Sequence, residues 1–168
     1  MISSWRKPMF NFNRTRVLFV CRANICRSPM AEAILRQKVK EEKLRRHIAV
    51  DSAAIEDWRV GNPPHPETIK ILEQFHIDPG KMKSRQLTAK DGKKFDYIIC
   101  MDQDVKKDAL ERIPEAYHDR VYLFNEFLGS DDDVLDPIIT KDFLTTFDDI
   151  YEGVNAITDT IVKERKLS

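Results

Sequence analysis

Apolar positions along the chain follow two periods. Four short runs, residues 16–20, 47–50, 95–100 and 120–124, are rich in β-branched or aromatic side chains. They are too short for stable helices and predict buried strands. The segments between and after them carry helical spacing. Met30, Ile34, Leu35 and Val39 share a face in residues 29–43, with Ser28 as the expected N-cap and Pro29 in the first turn. A second helix is expected from Pro66, with Ile69, Leu72 and Phe75, and a third after Asp102, with Val105, Ala109 and Ile113. The clearest stripe is Phe143, Phe147, Ile150, Val154, Ile157 and Ile161, which predicts a long helix packed on the sheet. Strands alternating with helices imply right-handed crossovers and a parallel sheet covered on both faces. The expected fold is therefore a single-domain, three-layer α/β/α architecture around a central four-stranded parallel sheet. Such sheets bind ligands beyond the carboxyl ends of their strands, which directs attention to the segments after Val20, Val50 and Cys100.

Composition narrows the classes of function. The 168 residues fit one domain, with 42% hydrophobic and 33% charged residues. Twenty-eight basic residues balance 28 acidic ones, which argues against a general nucleic-acid or anionic-membrane binder but leaves a local basic pocket open. No apolar run approaches the roughly 20 residues that span a bilayer. Residues 1–15 mix Trp5, Phe10 and Phe12 with Arg6, Lys7 and Arg14 and lack the apolar core of a secretory signal. They read as a flexible extension before a domain at 16–168. Three cysteines cannot form a disulfide framework here, so reduced thiols in a cytoplasmic protein are expected.

The chemistry concentrates in one segment, Cys21-Arg22-Ala23-Asn24-Ile25-Cys26-Arg27-Ser28-Pro29, between the first strand and the first helix. A loop of that kind aims backbone N–H groups at one point. With the helix dipole, the backbone of Arg22, Ala23, Asn24, Ile25, Cys26 and Ser28 would cradle a phosphate. The same field favours the thiolate of Cys21 as nucleophile. Arg27 is placed to pair two phosphate oxygens, and the Ser28 hydroxyl to donate to the sulfur. Cys-x5-Arg alone fixes only two positions, and a buried cysteine with a surface arginine would give the same pattern. Its place at a strand end, directly before a helix start, is what makes it a candidate site.

Cys21 to Pro29 resembles the loop of the low-molecular-weight protein tyrosine phosphatases, Cys-x-Gly-Asn-x-Cys-Arg-Ser-Pro, at all but one fixed position. The similarity continues through Asp51-Ser52-Ala53, Trp58 with Gly61, Ser84-Arg85-Gln86 with Thr88, Phe95-Asp96-Tyr97-Ile98 with Cys100-Met101-Asp102, and Asp136-Pro137. The resemblance implies a phosphocysteine on Cys21, with Asp136 as general acid and then general base. It implies Trp58 as one wall of the substrate crevice, and Asn24 and Ser52 as a network supporting the loop. The implied substrates are phosphotyrosine-containing proteins or peptides and small aryl phosphates, with inorganic phosphate as product and no cofactor. Residues 129–140 read as the loop that carries Asp136, with Asp131, Asp132 and Asp133 as its solvated tip. Asp102 either caps the helix after it or assists the site.

Several positions depart from that pattern. Ala23 stands where the loop usually has glycine, which would strain a backbone of positive φ. Ile138 and Ile139 follow Asp136-Pro137 in place of the usual aromatics and offer an apolar second wall without ring stacking. His65 replaces a commonly acidic residue, and a histidine usual near Met82 is absent, which weakens the network expected around Asn24. Cys26 allows a reversible disulfide with Cys21. No metal is expected, because cysteines, histidines and carboxylates show no ligand spacing. Three rivals remain. Arsenate reduction needs a relay of thiols, and no cysteine follows Cys100. A phosphate-binding module would need neither nucleophile nor acid. A nucleotide-binding domain would need a glycine-rich fingerprint.

Overall fold

The computed structural model describes residues 13–167, so residues 1–12 of the expected extension lie outside the described residues. The elements are β1 (Thr15–Cys21), α1 (Arg27–Glu41), β2 (Ile48–Ala54), α2 (Pro66–Gln74), α3 (Asp91–Lys94), β3 (Tyr97–Cys100), α4 (Gln103–Arg112), β4 (Val121–Leu123), α5 (Pro137–Thr140) and α6 (Phe143–Arg165). The four strands form one parallel sheet in the order β2-β1-β3-β4. Val17 of β1 lies opposite Val50 of β2 and Tyr97 of β3.

β1 explains why its run is apolar without alternation. Val17, Phe19 and Cys21 face a cluster with Met30, Ile34 and Leu35 of α1 and Ile150, Val154 and Ile157 of α6. Leu18 and Val20 face the opposite cluster, with Val105 and Ala109 of α4. A strand covered on both faces has no polar side to display. The chain leaves β1 toward β2 on one side and later returns to β3 on the other. The order therefore reverses at the carboxyl end of β1, where parallel sheets open a ligand crevice.

The boundaries differ from the pattern in instructive ways. β2 runs on to Ala54 because Cys21 pairs with Ala54, and the Leu87 N–H then donates to the Ala54 carbonyl at 2.7 Å. Its polar Asp51 and Ser52 hide that continuation. α1 starts at Arg27 with Cys26 as its cap, and Ser28 lies inside the helix. Ser28 does not cap because its hydroxyl is engaged by Cys21 and Asn24. The expected loop at 129–140 ends in a helical turn, α5. Asp136 caps it by accepting from the Ile138 N–H at 3.0 Å, and Pro137 fits its first position. In α6 the buried stripe includes Gly153, where a Cβ would sit 2.0 Å from the Phe124 ring, so only glycine lets the helix approach that closely.

Candidate active site

The Cys21–Arg27 loop is held by its carbonyls. Cys21 O accepts from the Ile55 N–H at 3.1 Å, Arg22 O from Glu56 at 3.0 Å, Ile25 O from His65 at 2.7 Å and Cys26 O from Met30 at 3.1 Å. Ala23 O accepts from the Ser84 hydroxyl at 2.9 Å. Every described peptide is trans, so each tied carbonyl turns the following N–H the opposite way. The N–H groups of Arg22, Ala23, Asn24, Cys26 and Arg27 therefore point away from the surrounding protein and into the loop. That is a concave set of donors suited to an oxyanion. The residue with positive φ is Asn24, at 58°, and Ala23 is not in that region. The strain expected at Ala23 does not arise, because the left-handed turn falls one residue later on a side chain that tolerates it.

Cys21 is buried, and its Sγ lies 3.0 Å from Ser28 Oγ. Asn24 Nδ2 donates to Ser28 Oγ at 2.7 Å and to Ser52 Oγ at 2.9 Å. Ser28 thus accepts on one side and has its own proton free for a thiolate. The Ser52 hydroxyl donates to Glu32 Oε1 at 2.6 Å, and Glu32 is held by Arg36. Asn24 Oδ1 accepts from the Arg85 N–H at 3.2 Å. The network around Asn24 is closed without the missing histidine, because Glu32 and the Arg85 main chain supply its partners. Neither residue was legible as a site residue. Burial first of all raises the Glu32 carboxyl above the usual carboxylate range.

Arg27 is 3% exposed, and Nη1 donates to Asp102 Oδ2 and to the Val134 carbonyl, both at 2.7 Å. Its Nη2 is 3.8 Å from Asp136 Oδ2. Burial works against the guanidinium charge, but Cys21 and Asp102 outweigh it and raise the Arg27 pKa. Asp102 also caps α4, accepting from the Val105 N–H at 2.8 Å, so one side chain holds both the helix start and Arg27.

These groups meet in a cleft of about 200 Å³ lined by Cys21, Arg22, Ala23, Ile25, Cys26, Arg27, Trp58, Arg59, His65, Asp136 and Ile138. Trp58 is 61% exposed there. Ile138 also lines the cleft. Ile139 does not line the cleft and is 79% exposed, because α5 turns successive side chains about 100° apart. Asn24, Ser28 and Ser52 lie buried beneath the loop. His65, the departure from a commonly acidic position, lines the cleft, caps α2 through Nδ1 and stacks on Phe143 at 5.1 Å. Burial, reinforced by Cys21, pushes the Cys26 thiol up to about 12. Cys100 is fully buried, and burial pushes its thiol far up. Among the described residues no three His, Cys, Asp or Glu side chains gather as a metal site.

The model of the low molecular weight phosphotyrosine protein phosphatase family matches residues 16–167. The chain belongs to this family. It is accordingly a cysteine-dependent protein tyrosine phosphatase, and its substrates are phosphoproteins. This phosphatase is 39% identical over 152 residues to the low molecular weight protein-tyrosine-phosphatase PtpA of Staphylococcus epidermidis, covering 90% of this chain and 96% of the relative. Its fold superposes on the crystal structure of YfkJ from Bacillus subtilis with a TM-score of 0.86 at 37% identity, covering 90% of this chain and 96% of that one. It is also similar to a mutant of the arginine phosphatase YwlE with a phosphorylated active-site serine, at 28% identity and a TM-score of 0.82, covering 92% and 100%. No helix of the described residues is long and apolar enough to cross a membrane.

Proposed function

We propose that this phosphatase hydrolyses phosphotyrosine in proteins and peptides, and small aryl phosphates, through a phosphocysteine on Cys21. The observation that carries this reading is that Cys21, Arg27 and Asp136 line one cleft together with Trp58 and Ile138. The inward N–H groups of the loop and Arg27 take the phosphate oxygens, leaving phosphorus above Sγ. The thiolate attacks phosphorus, the P–O bond to the aryl group breaks, and protonated Asp136 gives its proton to the departing oxygen. Ser28 donates to the sulfur in the resting enzyme and again as it leaves. Asp136, now a carboxylate, takes a proton from water, whose oxygen attacks phosphorus. The S–P bond breaks, and inorganic phosphate and the thiolate are released. No cofactor enters these steps. The thiol must stay reduced to attack, which fits a cytoplasmic setting.

The arsenate-reductase alternative lacks a thiol relay, since Cys100 is sealed in the sheet and Cys26 is the remaining partner. The apolar surfaces of Trp58 and Ile138 suit an uncharged ring better than a phosphorylated guanidinium, so a phosphoarginine peptide belongs in the assay as a contrast.

Phosphate release from 4-nitrophenyl phosphate and from a phosphotyrosine peptide, without metal, tests the reading in wild type, Cys21→Ser and Asp136→Ala. Turnover should vanish in the first variant and fall by about 10²- to 10⁴-fold in the second. Tight phosphopeptide binding by folded wild type with no phosphate released would favour a phosphate-binding module instead. Faster turnover of the phosphoarginine peptide would move the substrate class, and thiol-dependent arsenate turnover would revive the reductase.

A further inference from the structure

One guanidinium of the cleft pairs with no carboxylate among the described residues. Arg59 lines the cleft beside Trp58, and its Cζ lies 4.4 Å from the centroid of the Trp58 ring. Among the described residues it makes no ion pair, and its Nε is shielded from solvent without a hydrogen-bond partner. The other arginines of the cleft are neutralised. Arg22 pairs with Asp108 at 2.7 Å and with Glu56 at 3.6 Å. Arg27 meets Asp102 at 2.7 Å and Asp136 at 3.8 Å. Asp57, close by in sequence, does not reach Arg59 either.

We propose that Arg59 forms a subsite for a carboxylate flanking the phosphotyrosine, so that the preferred substrates carry Asp or Glu beside the modified residue. This rests on the phosphotyrosine reading above. The phosphate is already met at the floor of the cleft by the loop and Arg27, which leaves Arg59 without a role toward it. With the aryl ring against exposed Trp58, the groups nearest Arg59 belong to the peptide on either side of the tyrosine. Stacking on Trp58 holds the guanidinium plane in place, so little freedom is lost when a carboxylate binds. Nε is shielded, and the terminal nitrogens, which make no hydrogen bond among the described residues, are left for a bidentate pair with a carboxylate.

The test uses phosphotyrosine peptides identical except for Glu or Gln on both sides of the phosphotyrosine. Their kcat/KM ratio is measured for wild type, Arg59→Gln and Arg59→Glu, and their Kd ratio for the same three forms carrying Cys21→Ser. Wild type should favour the Glu peptide by about three- to five-fold at low salt, the size of a partly exposed ion pair. That preference should shrink toward one as ionic strength rises. Arg59→Gln should abolish it and Arg59→Glu should reverse it, which loss of packing alone would not do. Because each ratio is taken within one variant, any general change in activity cancels. A ratio near one in wild type, or the same ratio in all three, overturns the subsite. Absence of phosphate release from wild type would overturn the phosphotyrosine reading, and the Kd ratios would still decide the subsite.

Discussion

Asp102 joins Arg27 to α4: one carboxylate oxygen accepts from Arg27 Nη1 at 2.7 Å and the other from the Val105 N–H at 2.8 Å. The helix that follows β3 thereby fixes the guanidinium that follows β1. Asp102→Asn separates the two contacts, since asparagine caps helices about as well but brings no charge. Its Tm should stay near that of wild type while kcat/KM falls by about ten-fold. Asp102→Ala should lose the same activity and a further ~1 kcal/mol of stability from the cap. Full activity in Asp102→Asn would reduce Asp102 to a cap.

Asn24 combines a backbone φ of 58° with three side-chain hydrogen bonds. Asn24→Ala keeps the unfavourable backbone and strands buried groups of Ser28 and Ser52, and should cost about 2–4 kcal/mol in urea unfolding. Asn24→Gly relieves the backbone but not the hydrogen bonds, and should recover ~1 kcal/mol of that loss without restoring turnover. Equal stability of the two variants would show that the left-handed turn carries no strain.

Glu32 should make stability depend on pH. Its carboxyl is raised by burial, against the opposing effects of Ser52 and Arg36. An acid with a raised folded pKa contributes stability that is present at low pH and is lost as pH climbs from the ordinary carboxylate range through the folded value. Glu32→Gln removes this titration and keeps an acceptor for Ser52. Wild-type stability, measured against Glu32→Gln by denaturant unfolding, should therefore decline as pH rises above the ordinary glutamate range. A constant difference would show that Glu32 binds its proton equally in both states.

Cys26 shares the cleft with Cys21, and burial holds it as a thiol near 12. Peroxide should therefore oxidise Cys21 first, to a sulfenic acid. The Cys26 thiol can then displace hydroxide from that sulfur, with its proton completing water, to leave a disulfide. Dithiothreitol should restore wild type after peroxide, whereas Cys26→Ala should be lost irreversibly. Equal recovery of both would reject the pairing.

The parts of the fold legible in the sequence are those with one strong pattern. β1 and α6 are covered or striped along their whole length, so Val17 to Val20 and Phe147 to Ile161 declare themselves. The apolar pattern of β2 stops short of its end because Asp51 and Ser52 are polar for the sake of the site and its ion pairs, where Asp51 meets Arg85 at 3.0 Å. α3 and α5 have four residues each, too few for any period to show. At the site, Cys21, Arg27 and Asp136 stood out through motif and resemblance. Glu32 meets Ser52 and His65 meets Phe143 across long stretches of chain, and Arg59 touches only its neighbour Trp58, so none of the three leaves a motif in the sequence. The position of Ile139 failed for a geometric reason, because a loop would have let both isoleucines face the cleft and a helical turn does not.

That turn sets up a direct test of the second wall. Ile138 lines the cleft at 38% exposure, and Ile139 is 79% exposed and outside it. An aromatic ring at 138 would face Trp58 across the bound phosphotyrosine, and an aromatic pair contributes ~0.5–1.5 kcal/mol beyond simple burial. Ile138→Phe should therefore lower KM for a phosphotyrosine peptide by about two- to ten-fold, with kcat changed little because the contact is made equally in the ground and transition states. The same change at Ile139 should leave KM within about two-fold of wild type. If Ile139→Phe were the variant that lowered KM, α5 would have to open or turn when substrate binds, carrying Asp136 with it, and the acid would reach its working position only in the complex. If neither variant altered KM, Trp58 alone would hold the ring.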